Sequence, residues 1–149
     1  MSINIRTIRM EELSIAVEIL NHIPEFDAIF YLQQLQRRIG KAEHIIIIAE
    51  FAGKPIGCKI AYNRYFDGSI YSWLGGVLLP YRNQGVATEL LKKLEEEARR
   101  KLFVSVRMKT RNKHKSMLRF ALQHDFQIIG FREKDVSSES RIELKKNLL

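Results

Sequence analysis

Apolar and polar residues alternate along Ile3-Asn-Ile-Arg-Thr-Ile-Arg9, a period of two that predicts a half-buried strand. The period then lengthens. Leu13, Ala16, Val17 and Leu20 recur at helical spacing, with Glu11 and Glu12 where a helix dipole favours negative charge. Ile23-Pro24-Glu25-Phe26 breaks that helix, and a second stripe (Ala28, Tyr31, Leu32, Leu35, Ile39) predicts another that stops at Gly40. The β-branched run from His44 to Phe51 reads as a buried strand, and Ala52-Gly53-Lys54 as the hairpin turn after it. A third strand extends from Pro55 to about Phe66 and turns at Asp67-Gly68. A fourth covers Ile70 to Leu79, where Gly75-Gly76 implies a bulge or a ligand approaching the backbone.

The clearest helix follows, with Val86, Leu90, Leu91, Leu94, Ala98 and Leu102 on its buried stripe. On its wet side Glu95/Arg99, Glu96/Arg100 and Glu97/Lys101 are pairs four residues apart in the favourable orientation. Phe103 to Thr110 is a fifth strand, and Met117, Leu118, Ala121 and Leu122 give a short helix one apolar face. His124-Asp125 turns into a strand at Phe126–Phe131, and the last strand lies around Arg141–Leu144, ahead of a basic tail. The predicted order, β-α-α-β-β-β-α-β-α-β-β, describes one α/β domain over residues 1–149. The β-α-β unit makes strands four and five parallel through a right-handed crossover, and the flanking hairpins are antiparallel.

Composition narrows the function. At 149 residues and 46% apolar content the chain can bury one core. No stretch approaches the roughly 20 apolar residues of a membrane span, and the N-terminus lacks a secretory layout. The single cysteine, Cys58, reads as a small packed residue in a reducing, cytoplasmic setting. The four histidines have no metal-ligand spacing, so no metal is expected. A net charge of +8 favours anionic partners without choosing among them.

The chemistry concentrates between the fourth strand and the helix after it, in Val77-Leu-Leu-Pro-Tyr-Arg-Asn-Gln-Gly-Val-Ala-Thr88. A basic, glycine-containing turn that runs into a helix leaves backbone N–H groups free at the positive end of a dipole, a natural site for a phosphate or pyrophosphate. Arg82-Asn83-Gln84-Gly85-Val86-Ala87 fits the pattern Arg/Gln-x-x-Gly-x-Gly/Ala. It resembles the acyl-CoA pyrophosphate loop of the GNAT N-acetyltransferase superfamily. A second block, His114 to Phe126, is similar to that family's Asn-x-x-Ala/Met…Gly-Phe helix, with His114 at the usual Asn and Asp125 where Gly is common. The resemblance spans nearly the whole chain.

It implies a mixed, mostly antiparallel sheet flanked by about four helices, with strands four and five splayed to admit the pantetheine arm. It also implies acetyl-CoA as cosubstrate. Val77, Leu78 and Leu79 would run beside the arm, with the main chain of Leu78 and Leu79 bonding its amides. Arg82, Asn83, Gln84, Gly85, Val86, Ala87 and Thr88 would cradle the pyrophosphate. Asn112, His114 or Ser116 would touch the far side of the pantetheine or the phosphates.

Two departures from the family pattern bear on catalysis. Ala121 stands where many members carry an acidic Tyr, and Ile70–Leu74 offers no carboxylate to serve as base. Candidates for the acceptor side are Glu25 and Tyr62, with Tyr71 and Trp73 walling the cleft and Arg64 and Arg141 steering an anionic acceptor. Glu25 has a second reading, as a cap on the second helix. No covalent nucleophile is visible, so direct transfer to a primary amine in a ternary complex is expected. A polyamine, an amino acid, an antibiotic, or a protein N-terminus or lysine would each fit as acceptor. The runner-up is a catalytically silent acyl-CoA-binding domain.

The cluster Arg107, Lys109, Arg111, Lys113, Lys115 and Arg119 reads as a solvated face or as a dock for the cofactor's 3′-phosphate. A nucleic-acid module is the third hypothesis, and the lack of stacking aromatics in this stretch argues against it. The family resemblance also allows a homodimer.

Overall fold

A computed structural model describes residues 2–149. Its strands are β1 (Ile3–Ile8), β2 (His44–Phe51), β3 (Lys54–Tyr62), β4 (Ser69–Val77), β5 (Ser105–Arg111), β6 (Gln127–Arg132) and β7 (Arg141–Asn147). Its α-helices are α1 (Leu13–Leu20), α2 (Leu32–Ile39), α3 (Val86–Arg100) and α4 (Lys115–Gln123). One sheet runs in the order β1-β2-β3-β4-β5-β7-β6. Every neighbouring pair is antiparallel except β4–β5, which is parallel across the α3 crossover.

Alternation along the strands sorts the core into two layers. Ile45, Ile47, Ile56, Ile70, Val106 and Leu144 face α3, whose Leu90, Leu91 and Leu94 complete that layer. Ile46, Ile48, Cys58, Ile60, Tyr62 and Tyr71 face α1 and α2, with Leu13, Leu20 and Leu35 above them. Burial pushes the Cys58 thiol up to about 12, which suits a packing residue and not a nucleophile.

The parallel pairing is short. Ser69–Ser72 pair with Ser105–Met108, after which β4 continues to Val77 and β5 to Arg111 without bonding each other. Where they part, β4 carries a bulge: Leu74 stands opposite Ile60 and Ser72 opposite Ala61, leaving Trp73 as the extra residue. The bulge thus lies two residues before the glycine pair. Gly75 and Gly76 also permit close packing. A Cβ at Gly75 would sit 2.9 Å from the Cys58 carbonyl oxygen, and one at Gly76 3.0 Å from Ile23.

Several element ends differ from the sequence expectation: α3 ends at Arg100, so Leu102 of its expected stripe is exposed, and β5 begins at Ser105 and not Phe103. β4 stops at Val77, because Pro80 has no N–H for a ladder and Leu79–Tyr81 close a 3-10 turn. β3 stops at Tyr62, since Asn63 and Asp67 accept backbone N–H groups from Phe66 and Ser69 and fold the chain into turns. α2 begins at Leu32: Tyr31 is extended and forms a capping box with Gln34, while Asn21 clamps the backbone of Phe30. α4 buries only Ala121, so Met117 and Leu122 of its expected apolar face stand exposed.

Candidate functional site

The turn after β4 reaches α3 through two left-handed residues, Asn83 (φ 61°) and Gly85 (φ 83°). Glycine accepts this conformation without strain and asparagine tolerates it. No side chain caps α3, and the first backbone bond of its ladder runs from the Glu89 N–H to the Gly85 carbonyl. Among the described residues, the N–H groups of Asn83 to Thr88 have no hydrogen-bond partner. Nothing lies within 4 Å of where a Gly85 Cβ would stand. The result is a run of free donors at a helix N-terminus, beside open space at Gly85. Val86 is buried and Ala87 packs on the α3-side core, so the loop rests on a rigid base.

Beside this loop lies the gap between β4 and β5. The Leu78 N–H donates to the Ile56 carbonyl at 2.8 Å, so Leu78 points its main chain at β3 and not into the gap. Ladder alternation then turns the main chain of Gly75 and Val77 toward the gap. The Leu78 carbonyl accepts from the Tyr81 N–H at 2.9 Å, and Leu79 stands exposed at the rim.

Arg82 turns away from the free amides. Its Nε donates to the Val77 carbonyl at 2.9 Å, and its Nη1 and Nη2 grip Glu25 at 2.8 Å each. That fork holds the Glu25 carboxyl below the usual range, with the charge of His114 assisting. Glu25 therefore clamps the β4 turn and caps no helix, because the α2 cap is Tyr31. Two residues on, Asp27 pairs with Arg111 at 3.0 Å and Lys113 at 3.2 Å, and Glu139 pairs with the same two cations. The α1–α2 connection is thus tied to the ends of both β4 and β5 and crosses the mouth of the gap.

Asn112 sits across the gap, but its side-chain amide donates to the Ser137 carbonyl and its N–H to the Ser140 carbonyl. His114 immediately precedes α4, and Ser116 is exposed in its first turn. The α4 end is fixed by a histidine the sequence left unassigned. His124 Nδ1 faces the Phe120 carbonyl at 2.8 Å and so carries the proton, which leaves Nε2 to accept from the Thr88 hydroxyl at 3.2 Å.

Tyr62 lies on the α1 side of the sheet, in an edge-to-face chain of rings. Its neighbours are Tyr71 (5.9 Å) and Trp73 (5.5 Å), and Tyr65 joins through Tyr71 (5.8 Å). On the α3 side, the half-buried Lys59 donates to the Ser72 hydroxyl at 3.1 Å, next to the bulge. Burial lowers its ammonium to about 8. Lys59 and the carboxylates Asp27 and Glu139 were not among the sequence candidates, although their partners Arg111 and Lys113 were. Lys59 was visible as a charge at an inward position of an otherwise apolar strand. The ion pairs join residues too far apart in the chain for any pattern to pair them.

Among the described residues no cluster of three or more metal-ligating side chains occurs, and no helix is long and apolar enough to cross a membrane.

A mixed sheet whose parallel pair opens beside an amide-lined helix N-terminus is an α/β architecture with free donors at the edge of an open strand gap. The sequence model of the Acetyltransferase (GNAT) family matches residues 5–126, and the chain belongs to that family. No curated protein matches the sequence. Solved structures similar to it include the ribosomal-protein-S18-alanine N-acetyltransferase from Escherichia coli, with TM-score 0.83 and 14% identity over 99% of this chain and 94% of that one. Ard1 from Thermoplasma volcanium has TM-score 0.80 and 17% identity over 100% and 99%. A GNAT family acetyltransferase from Elizabethkingia anophelis with acetyl-CoA bound has TM-score 0.77 and 18% identity over 97% of each chain. Family membership indicates an acyltransferase.

Proposed function

We propose that this chain transfers acetyl from acetyl-CoA to a primary amine by direct attack in a ternary complex. The observation that carries the reading is the run of unbonded N–H groups from Asn83 to Thr88 at the start of α3, beside the parted strands. These donors would hold the diphosphate, and the gap beyond Ser72 would take the pantetheine arm against the main chain of Gly75 and Val77. Acetyl-CoA supplies the activated thioester. The gap-facing N–H groups of β4 supply donors for the oxyanion.

On the acceptor side Glu25 acts as a positioning residue, because its carboxylate is locked in a bidentate pair with Arg82. Tyr62 is the remaining candidate for moving a proton, from within the aromatic chain beside the bulge. The second reading, a silent acyl-CoA binder, draws on the fully buried Ala121, which leaves no ionisable group at the family's Tyr position.

Acetyl-CoA binding followed by calorimetry, together with thiol release across an amine panel, tests both readings. Saturable binding with amine-dependent release supports transfer. Binding without release from any amine supports the silent domain, and absence of binding rejects both. Tyr62→Phe should lower kcat with little change in acetyl-CoA affinity.

A further inference from the structure

We infer that the acceptor amine carries its own anion, a carboxylate or phosphate, held by Arg64, Arg107 and Arg141 on the α1 side of the sheet beside Tyr71 and Trp73. This rests on the transfer reading above. Among the described residues, the cluster that α1 and α2 form with the sheet takes its strand residues from β1 to β4 and none from β5, β6 or β7, so the same face of those three strands has no helix core built on it. Cross-strand register sets cations there in rows: Arg107 beside Lys145, and Arg111 beside Arg141 and Arg132.

Several of these cations already have carboxylates. Arg111 is held by Asp27 and Glu139, Lys109 by Glu143 at 3.8 Å, and one nitrogen of Arg107 by Asp67 at 3.1 Å. Arg64 and Arg141 form no ion pair among the described residues. Arg107 Nε is buried without an acceptor, and a buried donor left unpaired is costly unless a ligand meets it.

The aromatic rings are covered in the same sense. Arg64 lies 5.0 Å from the Tyr71 ring and 5.4 Å from Tyr65, Arg107 lies 5.1 Å from Tyr65, and Arg38 lies 5.3 Å from Trp73. Guanidinium groups therefore occupy the ring faces that a polyamine or a lysine-rich segment would need. A second ammonium group would meet repulsion, whereas a carboxylate or phosphate would meet planar forks suited to bidentate bonding.

These cations do not belong to the donor's diphosphate. Tyr71 and Val77 are separated by about 20 Å of extended β4, and the free amides lie beyond Val77. An anion bound beside Tyr71 would place the amine of the same molecule near the bulge at Trp73, where the strands part.

Trp73 is the chain's single tryptophan, so its emission reports on this site. The test titrates the full chain, with and without saturating coenzyme A, against L-glutamate, glucosamine 6-phosphate, an acidic peptide with a free N-terminus, ethanolamine and spermidine. At least one anionic amine should change Trp73 emission saturably and be acetylated at least about tenfold more efficiently than ethanolamine or spermidine. Which of the three responds separates a small carboxylate, a phosphate and an acidic chain end as the source. The double variant Arg64→Gln/Arg141→Gln should weaken that binding about tenfold or more, with melting temperature and acetyl-CoA affinity unchanged.

The inference is overturned if ethanolamine or spermidine binds or reacts as well as the anionic amines, if none of the three anionic probes perturbs Trp73, or if the double variant binds undiminished. A protein that acetylates only neutral or cationic amines loses this inference and keeps its transferase function. One that takes up anions at Trp73 but no acetyl-CoA keeps the anion site and loses the transferase function.

Discussion

The two halves of the sheet are built to opposite rules. From β1 to β4 both faces are covered, by α1 and α2 on one side and α3 on the other, and Ile46, Ile47, Ile48 and Ile60 are almost wholly buried. From β5 to β6 only the α3-facing side is apolar, and the opposite face carries rows of arginine and lysine. On β6, Ile128 and Phe131 remain more than half exposed. The covered half is a scaffold that fixes β4. The uncovered half leaves charge and main chain accessible, and the seam between the halves is where β4 and β5 separate.

The largest test of this contrast is packing. Ile60→Ala, in the covered half, should cost about 3 kcal/mol, while Ile128→Ala, on β6, should cost under about 0.5 kcal/mol. Urea unfolding of both variants measures the difference. Equal losses would mean that the second half carries as much of the core as the first.

Next comes the seam. Gly85→Val forces a β-branched residue into φ 83° and places its side chain in the space before the free amides. Acetyl-CoA affinity should fall by about ten- to a hundredfold, equivalent to roughly 1.4–2.7 kcal/mol. The circular dichroism spectrum should stay native. A folded variant that binds acetyl-CoA like the parent would remove the amide run as the gripping site.

Lys59 lies at the edge of the covered half, where it sits under α3 and bonds Ser72 at the end of the β4–β5 pairing. Its folded value of about 8 lies below the 10.5 of an ordinary lysine, so the unfolded chain binds more protons between those limits and stability rises with pH across that window. Below about pH 8 both states are charged and the desolvation penalty is constant. Lys59→Met should therefore stabilise the protein most at pH 7, by about 1–2 kcal/mol after allowance for partial solvent contact, and the gain should vanish near pH 10.5. Thermal melts of both proteins from pH 7 to 10.5 measure it, and a gain that does not shrink with pH would assign the effect to packing.

Periodicity located every α-helix and strand, because each buries a stripe or a face, and the strand–turn–helix after β4 announced the run of unbonded amides through Gly85 and the open start of α3. Element ends were less legible: Pro80, Asn63 and the Tyr31–Gln34 box set them through local bonds that an apolar pattern does not encode. The glycine pair misdirected the bulge, since Gly75 and Gly76 answer to Cys58 and Ile23, which lie far away in sequence. Arg82 and Glu25 were each singled out, yet their mutual clamp was invisible because it spans the α1–α2 connection and the whole of β2 to β4.

That clamp gives the smallest expected effect and probes whether the seam is held from outside. Glu25→Gln removes the charge from the pair with Arg82 while preserving shape. Both side chains keep solvent contact, so the stability loss at pH 7 should stay within about 0.5 kcal/mol. Because the Glu25 carboxyl is lowered from 4.5, its contribution is present above that value and lost as pH falls through the folded one, so parent and variant should converge in stability at low pH. Function should respond more than stability: Arg82 freed from Glu25 gains mobility beside the Val77 carbonyl, and the mouth of the gap loses one of its two ties. The KM for acetyl-CoA should then rise with kcat nearly unchanged, the split expected of a residue that positions without touching the reacting atoms. A fall in kcat with constant KM would instead place the Glu25 carboxylate at the chemistry itself, and would move the working face from the uncovered half of the sheet to the loop that bridges the gap.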